Sequence, residues 1–274
     1  MIGTSSERTL AVALLAPGMA TVDTIFNLVY RDESLLPLMA GLESSVPYDF
    51  FVKVIGKSHL DFSSMKLFPI AHSKYDAPIM LRALLLNCLT KYYADLWHRQ
   101  FRASYGEDHW ALADDPLLDP AHFSALTDTW TWDTPLRTDY ERRMALVELD
   151  VLTALALGLT LAELQTIYRI QFPVLASYEA ETWYDAHGRI VYTIHRGMTG
   201  TDSEGRKFVG VSKDEWERLR RHADDAGFTY DHTFTDDTQP GGPRERTITY
   251  AAPFVRCDRE RDYARVWDVF SKRG

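Results

Sequence analysis

The 274-residue chain has only two cysteines, Cys88 and Cys257, which are far apart and have no C-x-x-C spacing. That scarcity argues against a zinc site or a disulfide framework and fits a reducing cytoplasm. No apolar run reaches the ~18–20 residues of a membrane span. The opening "MIGTSSERTL" has neither the basic region nor the long apolar core of a signal peptide. The expectation is a cytoplasmic protein with no membrane partner. Its length allows one large domain or two smaller ones.

Several chemistries are also missing. The sequence has two asparagines, Asn27 and Asn87, and neither precedes proline. The Asn/Asp-Pro-Pro-aromatic motif that holds a target amine for methyl transfer is therefore absent in its usual form. No lysine has an acid two positions before it, which removes half of the common metal-dependent nuclease site. There is no glycine-rich phosphate turn, G-x-S-x-G, H-E-x-x-H or Walker loop. None of the nine histidines pairs with another at ligand spacing. Ser58, His59 and Asp61 lie together, but triad members normally converge from separate elements. The carboxylates of 107–119 read as a solvated acidic loop rather than a metal site. The chain is expected to be no enzyme by itself and to carry no cofactor or metal.

Charge is uneven along the chain. The net charge is -9, and residues 101–180 hold 13 acids against 5 bases. Residues 51–74 differ, with Lys53, Lys57, Lys66 and Lys74 against a single acid, Asp61. An acidic total argues weakly against nucleic acid, but a local basic stretch matters more.

Periodicity suggests an α+β protein. "TLAVALLAPG" reads as a buried strand closed by a Pro-Gly turn, with a helix still possible, and "TVDTIFNLVY" alternates like a second strand. "DESLLPLMAGLESS" is a short helix. "APIMLRALLLNCLTKYYADLWHRQF" (77–101) predicts one long helix, with Leu81, Leu84, Leu85, Cys88, Leu89, Tyr92 and Leu96 on one stripe. That stripe suits core packing better than a partner-binding face. Residues 105–128 are turn-rich and acidic. Capping boxes Thr138/Glu141, Thr160/Glu163 and Ser212/Glu215 mark helix starts, and Gly158 and Gly227 mark stops. "ETWYDAHGRIVYTIH" reads as a hairpin, 228–254 as a second strand pair around "TQPGGP", and the end as a helix capped by Asp258. No internal repeat is evident. Trp130, Trp132 and Trp183 could stack on bases, although buried packing suits all three better.

The segment "LPLMAGLESSVPYDFFVKVIGKSHLDFSSMKLFPI" (36–70) has a particular shape. A Leu-rich helix ends in small residues. An aromatic run, a Gly-Lys-Ser-His turn, a short helix and a Leu-Phe-Pro-Ile exit follow. It resembles the target-recognition domains of type I restriction specificity subunits and of type IIG-like adenine-specific DNA methyltransferases. "SSERTLAVALLAPG" looks like the strand that precedes it there. "LRTDYERRMALVELDVLTALALGLTLAELQTIYRIQFPVLASYEAETWYDAHGRIVYT" is similar to the C-terminal region of long methyltransferases of actinobacterial phage-defence clusters. Together the matches cover roughly residues 4–200. Those relatives carry their catalytic motif in an upstream domain that this chain lacks, so activity does not carry over.

The resemblance implies an accessory module that recognises double-stranded DNA beside a methyltransferase catalytic domain or subunit, and possibly other defence-complex proteins. It implies a mixed α/β recognition region at 1–75, a helical spacer or docking region at 76–175, and a small α+β unit at 176–274. The implied DNA contacts are Arg8, Lys53, Lys57, Ser58, His59, Ser63, Ser64 and Lys66. In that reading lysines and helix-start N–H groups hold phosphates while Ser and His reach base edges. Gly56 would permit a left-handed backbone at the turn. The competing expectation is a protein–protein adaptor of a defence complex, built on the acidic helical middle, with no DNA contact.

Overall fold

The computed structural model describes residues 7–22, 25–56, 60–195, 198–238 and 240–273. It is an α+β protein, with 43% of residues helical and 10% in small antiparallel sheets. The chain divides into two compact units. Unit 1 comprises Met1–Arg137, Arg142–Leu175 and Glu260–Gly274, and unit 2 comprises Thr138–Glu141 and Ala176–Arg259. Among the described residues, no helix is long and apolar enough to cross a membrane.

Unit 1 is helical. It opens with an extended segment rather than the two expected strands, because no neighbouring strand pairs with it among the described residues. The Pro17-Gly18 turn does form. Side chains tether the segment instead. Asp49 accepts the Thr9 N–H at 3.0 Å, and Asn87 Oδ1 accepts the Leu14 N–H at 3.0 Å. Helices α1 (Leu35–Glu43) and α2 (Val46–Ile55) follow, then the single turn α3 (Phe62–Met65) and α4 (Asp76–Asn87). Helix α1 packs closely on α4 at Gly41, where a Cβ would lie 2.5 Å from Ile79 Cγ2 and 3.0 Å from the Ile79 carbonyl oxygen.

The helix expected over 77–101 is broken at Cys88–Thr90 and resumes as α5 (Ala94–Gln100). The loop that follows captures the carbonyls a continuing helix would need. The Trp130 indole donates to Cys88 O at 2.8 Å and Arg137 donates to Leu89 O at 3.1 Å. Leu81, Leu84, Leu85, Cys88 and Leu96 stay buried, while Tyr92 turns out to solvent. Helices α6 (Asp139–Ala156) and α7 (Leu161–Gln171) then meet the expected caps. Thr138 and Glu141 cap each other, and Thr160/Glu163 forms a full capping box. Gly158 follows α6 with φ +73°.

Unit 2 holds the strands. Helix α8 (Pro173–Ala180) leads into the hairpin β1 (Trp183–Tyr184) and β2 (Ile190–Tyr192). Helix α9 (Lys213–Leu219) carries the third capping box, Ser212/Glu215. It ends well before Gly227, in a 3-10 turn at Arg220–His222. The ribbon β3 (Thr229–Asp236) and β4 (Arg244–Ala251) follows, then β5 (Val255–Arg256), after which α10 (Arg259–Phe270) returns the chain to unit 1. One sheet runs β2-β1-β5, all antiparallel, and the other is β3-β4, with His232 opposite Ile248. The unit's core gathers Val191, Tyr192, Trp216, Tyr250 and Phe254, with Tyr192 stacked 5.6 Å from Trp216.

A repeated pentapeptide clips this ribbon. Asp185-Ala-His-Gly-Arg189 and Asp202-Ser-Glu-Gly-Arg206 fold identically. In each, aspartate Oδ1 accepts the N–H groups two and four residues on, at 2.8–2.9 Å. In each, the arginine Nε donates to Oδ2, at 3.0 and 2.8 Å. The glycine has φ of +73° and +80° respectively. Asp202 Oδ2 also accepts the Thr235 N–H of β3 at 3.1 Å, and Asp185 Oδ2 the Ala251 N–H of β4 at 3.4 Å. Carboxylates thus satisfy strand N–H groups that would otherwise be open edges. These hydrogen bonds hold the Asp202 carboxyl down at about 2, against its burial.

Candidate nucleic-acid interface

The segment implied to read DNA is built on α2. Ser45 precedes the helix in an extended conformation and Pro47 occupies its first turn, where a missing N–H costs nothing. Gly56 ends it with φ +68°, the left-handed backbone expected of that turn. Asp61 then caps α3. Its Oδ1 accepts the Ser64 N–H at 2.7 Å, the Ser63 hydroxyl at 2.8 Å and the Ser64 hydroxyl at 2.7 Å.

An aromatic cluster ties α2 to the exit of the segment. Phe68 is buried between Tyr48 and Phe51, edge-on to both at 5.8 and 5.6 Å. The Tyr48 hydroxyl donates to the Pro69 carbonyl, tying the exit of the segment back to α2. Such edge-to-face pairs contribute about 0.5–1.5 kcal/mol beyond their burial. Phe68 is therefore the anchor of the Leu-Phe-Pro-Ile exit, with Leu67, Pro69 and Ile70 exposed around it.

The eight implied contact residues fall into three groups. Lys57, Ser58 and His59 lie outside the described residues. Ser63 and Lys66 are exposed, with Lys66 Nζ 4.4 Å above the Phe62 ring. Arg8, Lys53 and Ser64 are held within the protein. Arg8 donates to the Ser44 carbonyl and pairs with Asp49 at 3.5 Å and Asp150 at 4.0 Å. Asp150 is itself tied to the Val46 N–H at 2.7 Å and to the Tyr263 hydroxyl at 2.6 Å. Burial pushes the Asp49 carboxyl up, with Arg8 opposing. Lys53 donates to the Gln171 carbonyl at 2.6 Å and sits 4.1 Å over the Phe172 ring, and burial lowers its pKa. Lys74, the fourth lysine of the stretch, donates to the Arg273 carbonyl at 2.6 Å.

These placements assign Lys53 a structural part. Lys53→Ala is expected to cost about 1–2 kcal/mol of stability, from a partly desolvated cation–π contact and a charged hydrogen bond. A denaturant titration reads the first effect. Any binding the chain shows to duplex DNA should keep its salt slope in this variant.

The remaining candidates resolve into packing or surface pairs, and Trp132 departs from the expected burial. The four aspartates of 107–119 stabilise turns or pair with arginines. Asp108 meets Arg82 and Arg273, Asp114 meets Arg265 at 2.9 Å, and Asp115 and Asp119 accept the Leu117 and Ala121 N–H groups. Among the described residues, no group of three His, Cys, Asp or Glu could hold a metal. Trp130 is bonded to Cys88 O and Trp183 packs 5.0 Å from Trp216. Trp132 is exposed, with the Arg137 guanidinium 3.8 Å over its ring.

One feature of the site was not legible from the sequence. Pro47, Tyr48, Phe51, Pro69, Leu159 and Ile167 line an almost wholly apolar cavity of about 250 Å³ beside the aromatic cluster. Val54, Leu67 and Ile70 stand exposed in the same segment. The meeting of α2 and the segment's exit with α7 and the turn before it creates the cavity, so no local pattern announces it. Comparison of the chain with family models, with curated proteins and with solved structures finds no match.

Proposed function

We propose that the chain is a DNA target-recognition and accessory module of an adenine-specific DNA methyltransferase in a restriction or phage-defence system, working with a catalytic domain carried elsewhere. The observation that carries this reading is the aromatic cluster that ties α2 to the exit of the segment, with the Asp61-capped turn α3 between them and Ser63 and Lys66 exposed on it. A groove reader needs a rigid mount for a few polar side chains, and Tyr48, Phe51 and Phe68 supply one. In this proposal Lys66 and Lys57 contact phosphates, while Ser58, His59 and Ser63 reach base edges. Arg8, Lys53 and Ser64 hold the mount in place.

The adaptor reading has its own support in the apolar cavity beside the aromatic cluster and the exposed Val54, Leu67 and Ile70. Apolar surface of that kind favours a protein partner over a nucleic acid.

The two separate in one titration. Fluorescence anisotropy of labelled duplex DNA with the full chain should show binding that weakens with salt. Lys66→Ala should flatten the log–log slope by about one unit, uniformly across sequences. The same preparation, given S-adenosylmethionine or magnesium, should neither methylate nor cut the duplex. Absence of binding at low salt, or an unchanged slope in Lys66→Ala, would overturn DNA contact by this segment and leave the adaptor reading.

A further inference from the structure

The start of α4, the 3-10 turn Ala103–Glu107 and the end of α10 border a second cavity of about 250 Å³, wholly within unit 1. Its apolar lining comes from Tyr75, Ala77, Pro78 and Phe270. Its polar lining divides into groups that the fold has used and groups that it has left over. The used groups are charged pairs. Arg273 donates to Asp108 Oδ1 at 2.9 Å and to the His109 carbonyl at 3.3 Å. The same Asp108 meets Arg82, which also meets Glu148. Two cations and two anions close on each other there, so this network presents no net charge to the cavity.

Three lining groups are left over. Tyr105 is only 1% exposed, and its hydroxyl finds no hydrogen-bond partner among the described residues. Burial pushes this phenol up to about 12, so it stays a donor at neutral pH. A buried hydroxyl without a partner is a standing cost, relieved by an acceptor that reaches it. Glu107 makes no ion pair or side-chain hydrogen bond among the described residues. Lys74 makes no ion pair among them either, and it spends one donor on the Arg273 carbonyl at 2.6 Å. The cavity therefore offers an open carboxylate, an open ammonium and an unmet phenol donor beside an apolar wall.

We propose that this cavity binds a free, zwitterionic amino acid with an apolar side chain. Glu107 takes the ligand's ammonium, Lys74 and the Tyr105 hydroxyl take its carboxylate, and Tyr75, Pro78 and Phe270 cover its side chain. Size agrees with that class. A volume of about 250 Å³ lies below the ~300–1,000 Å³ of pockets for drug-sized ligands, which suits one amino acid rather than a nucleotide. Charge selects against simpler ligands. A plain carboxylate would face Glu107 and a plain amine would face Lys74, each with nothing to offset the repulsion. A residue inside a peptide has neither terminal charge.

Isothermal titration calorimetry of the full chain without DNA tests this independently of any DNA contact. L-leucine should bind saturably, and Tyr105→Phe should weaken it about ten-fold. That change removes only an unpartnered hydroxyl, so the thermal midpoint of the free protein should hold or rise. Weaker binding would then not reflect misfolding. Glu107→Gln separates recognition from structure. It should weaken L-leucine about ten-fold yet strengthen isocaproate, the same molecule without its ammonium. Absence of saturable binding of both L-leucine and L-phenylalanine at about 10 mM overturns the proposal. So does leucine binding that Tyr105→Phe leaves unchanged, or a Glu107→Gln protein that loses leucine and isocaproate alike.

Discussion

Arg82→Met is expected to destabilise unit 1 by about 3–5 kcal/mol, the cost of stripping one partner from a buried ion pair. Arg82 is fully buried on α4, and its Nε donates to Glu148 Oε2 of α6 at 2.5 Å. Its Nη1 donates to Asp108 Oδ2 at 2.5 Å, and Nη2 to the His109 carbonyl at 3.3 Å. Phe123 and Phe270 flank the guanidinium at 5.3 and 5.4 Å. Glu148 is equally buried, and its second oxygen accepts the Ala111 N–H at 2.6 Å. Burial works against the Arg82 charge, but Asp108 and Glu148 more than offset it and hold its pKa above the ordinary value. Methionine fills similar volume and restores none of the donors, leaving Glu148 without its charge partner in an apolar site where burial already pushes its carboxyl up.

The double variant Arg82→Met/Glu148→Met should therefore lose less than the sum of the two single changes. Asp108 keeps Arg273 at 2.9 Å, so its charge is not orphaned by either change. Denaturant midpoints for the four proteins give the coupling directly. A single-variant loss below about 1 kcal/mol, or strict additivity, would show that the network contributes little.

What could be read from the sequence was what nearest neighbours determine. The three capping boxes are spelled within four residues each, and all three form. Gly56 takes the left-handed backbone because α2 must stop there and nothing with a Cβ does so easily. The long helix over 77–101 failed because Trp130 and Arg137, more than forty residues on, capture carbonyls at 88 and 89. The strands over 9–30 failed for a related reason. Alternation requires one face to be covered, and here α2 and α4 cover part of it through Asp49 and Asn87 without offering a strand to pair with. The recurring Asp-x-x-Gly-Arg is too short to stand out as a repeat in the sequence, although its five residues fold alike twice.

The candidate interface divides along the same line. The aromatic cluster is encoded locally, since Tyr48, Phe51 and Phe68 lie within one short stretch. Lys53 reads as a free cation until Gln171, 118 positions away, is placed against it. Arg8 does the same until Asp49 and Asp150 surround it. A basic residue in sequence is only a candidate ligand for phosphate. Whether its charge is available depends on acids and carbonyls that the fold brings in.

Glu43→Gln is expected to stabilise the protein at alkaline pH, by up to about 3 kcal/mol, and to leave it unchanged near pH 4.5. Glu43 ends α1 and is only 6% exposed, and its Oε1 finds no hydrogen-bond partner among the described residues. Burial pushes its carboxyl up to about 7, and the nearby Tyr30 phenol is pushed up to about 12 by burial and by Glu43. The folded state therefore holds a proton on Glu43 that the unfolded chain has released above its own value near 4.5. Stability falls wherever the folded state binds more protons than the unfolded one, so this residue's contribution declines from about pH 4.5 to about 7 and then levels off. Glutamine keeps the shape of the protonated acid and cannot ionise, so it removes that decline. Unfolding free energies of both proteins at a series of pH values isolate the effect, because every other titrating group is common to the two. The difference should be near zero in acid, open through neutrality and stay constant above pH 8. A difference that does not change with pH would mean Glu43 titrates as an ordinary exposed carboxylate, and a gap that closes as pH rises would reverse the sign of its burial.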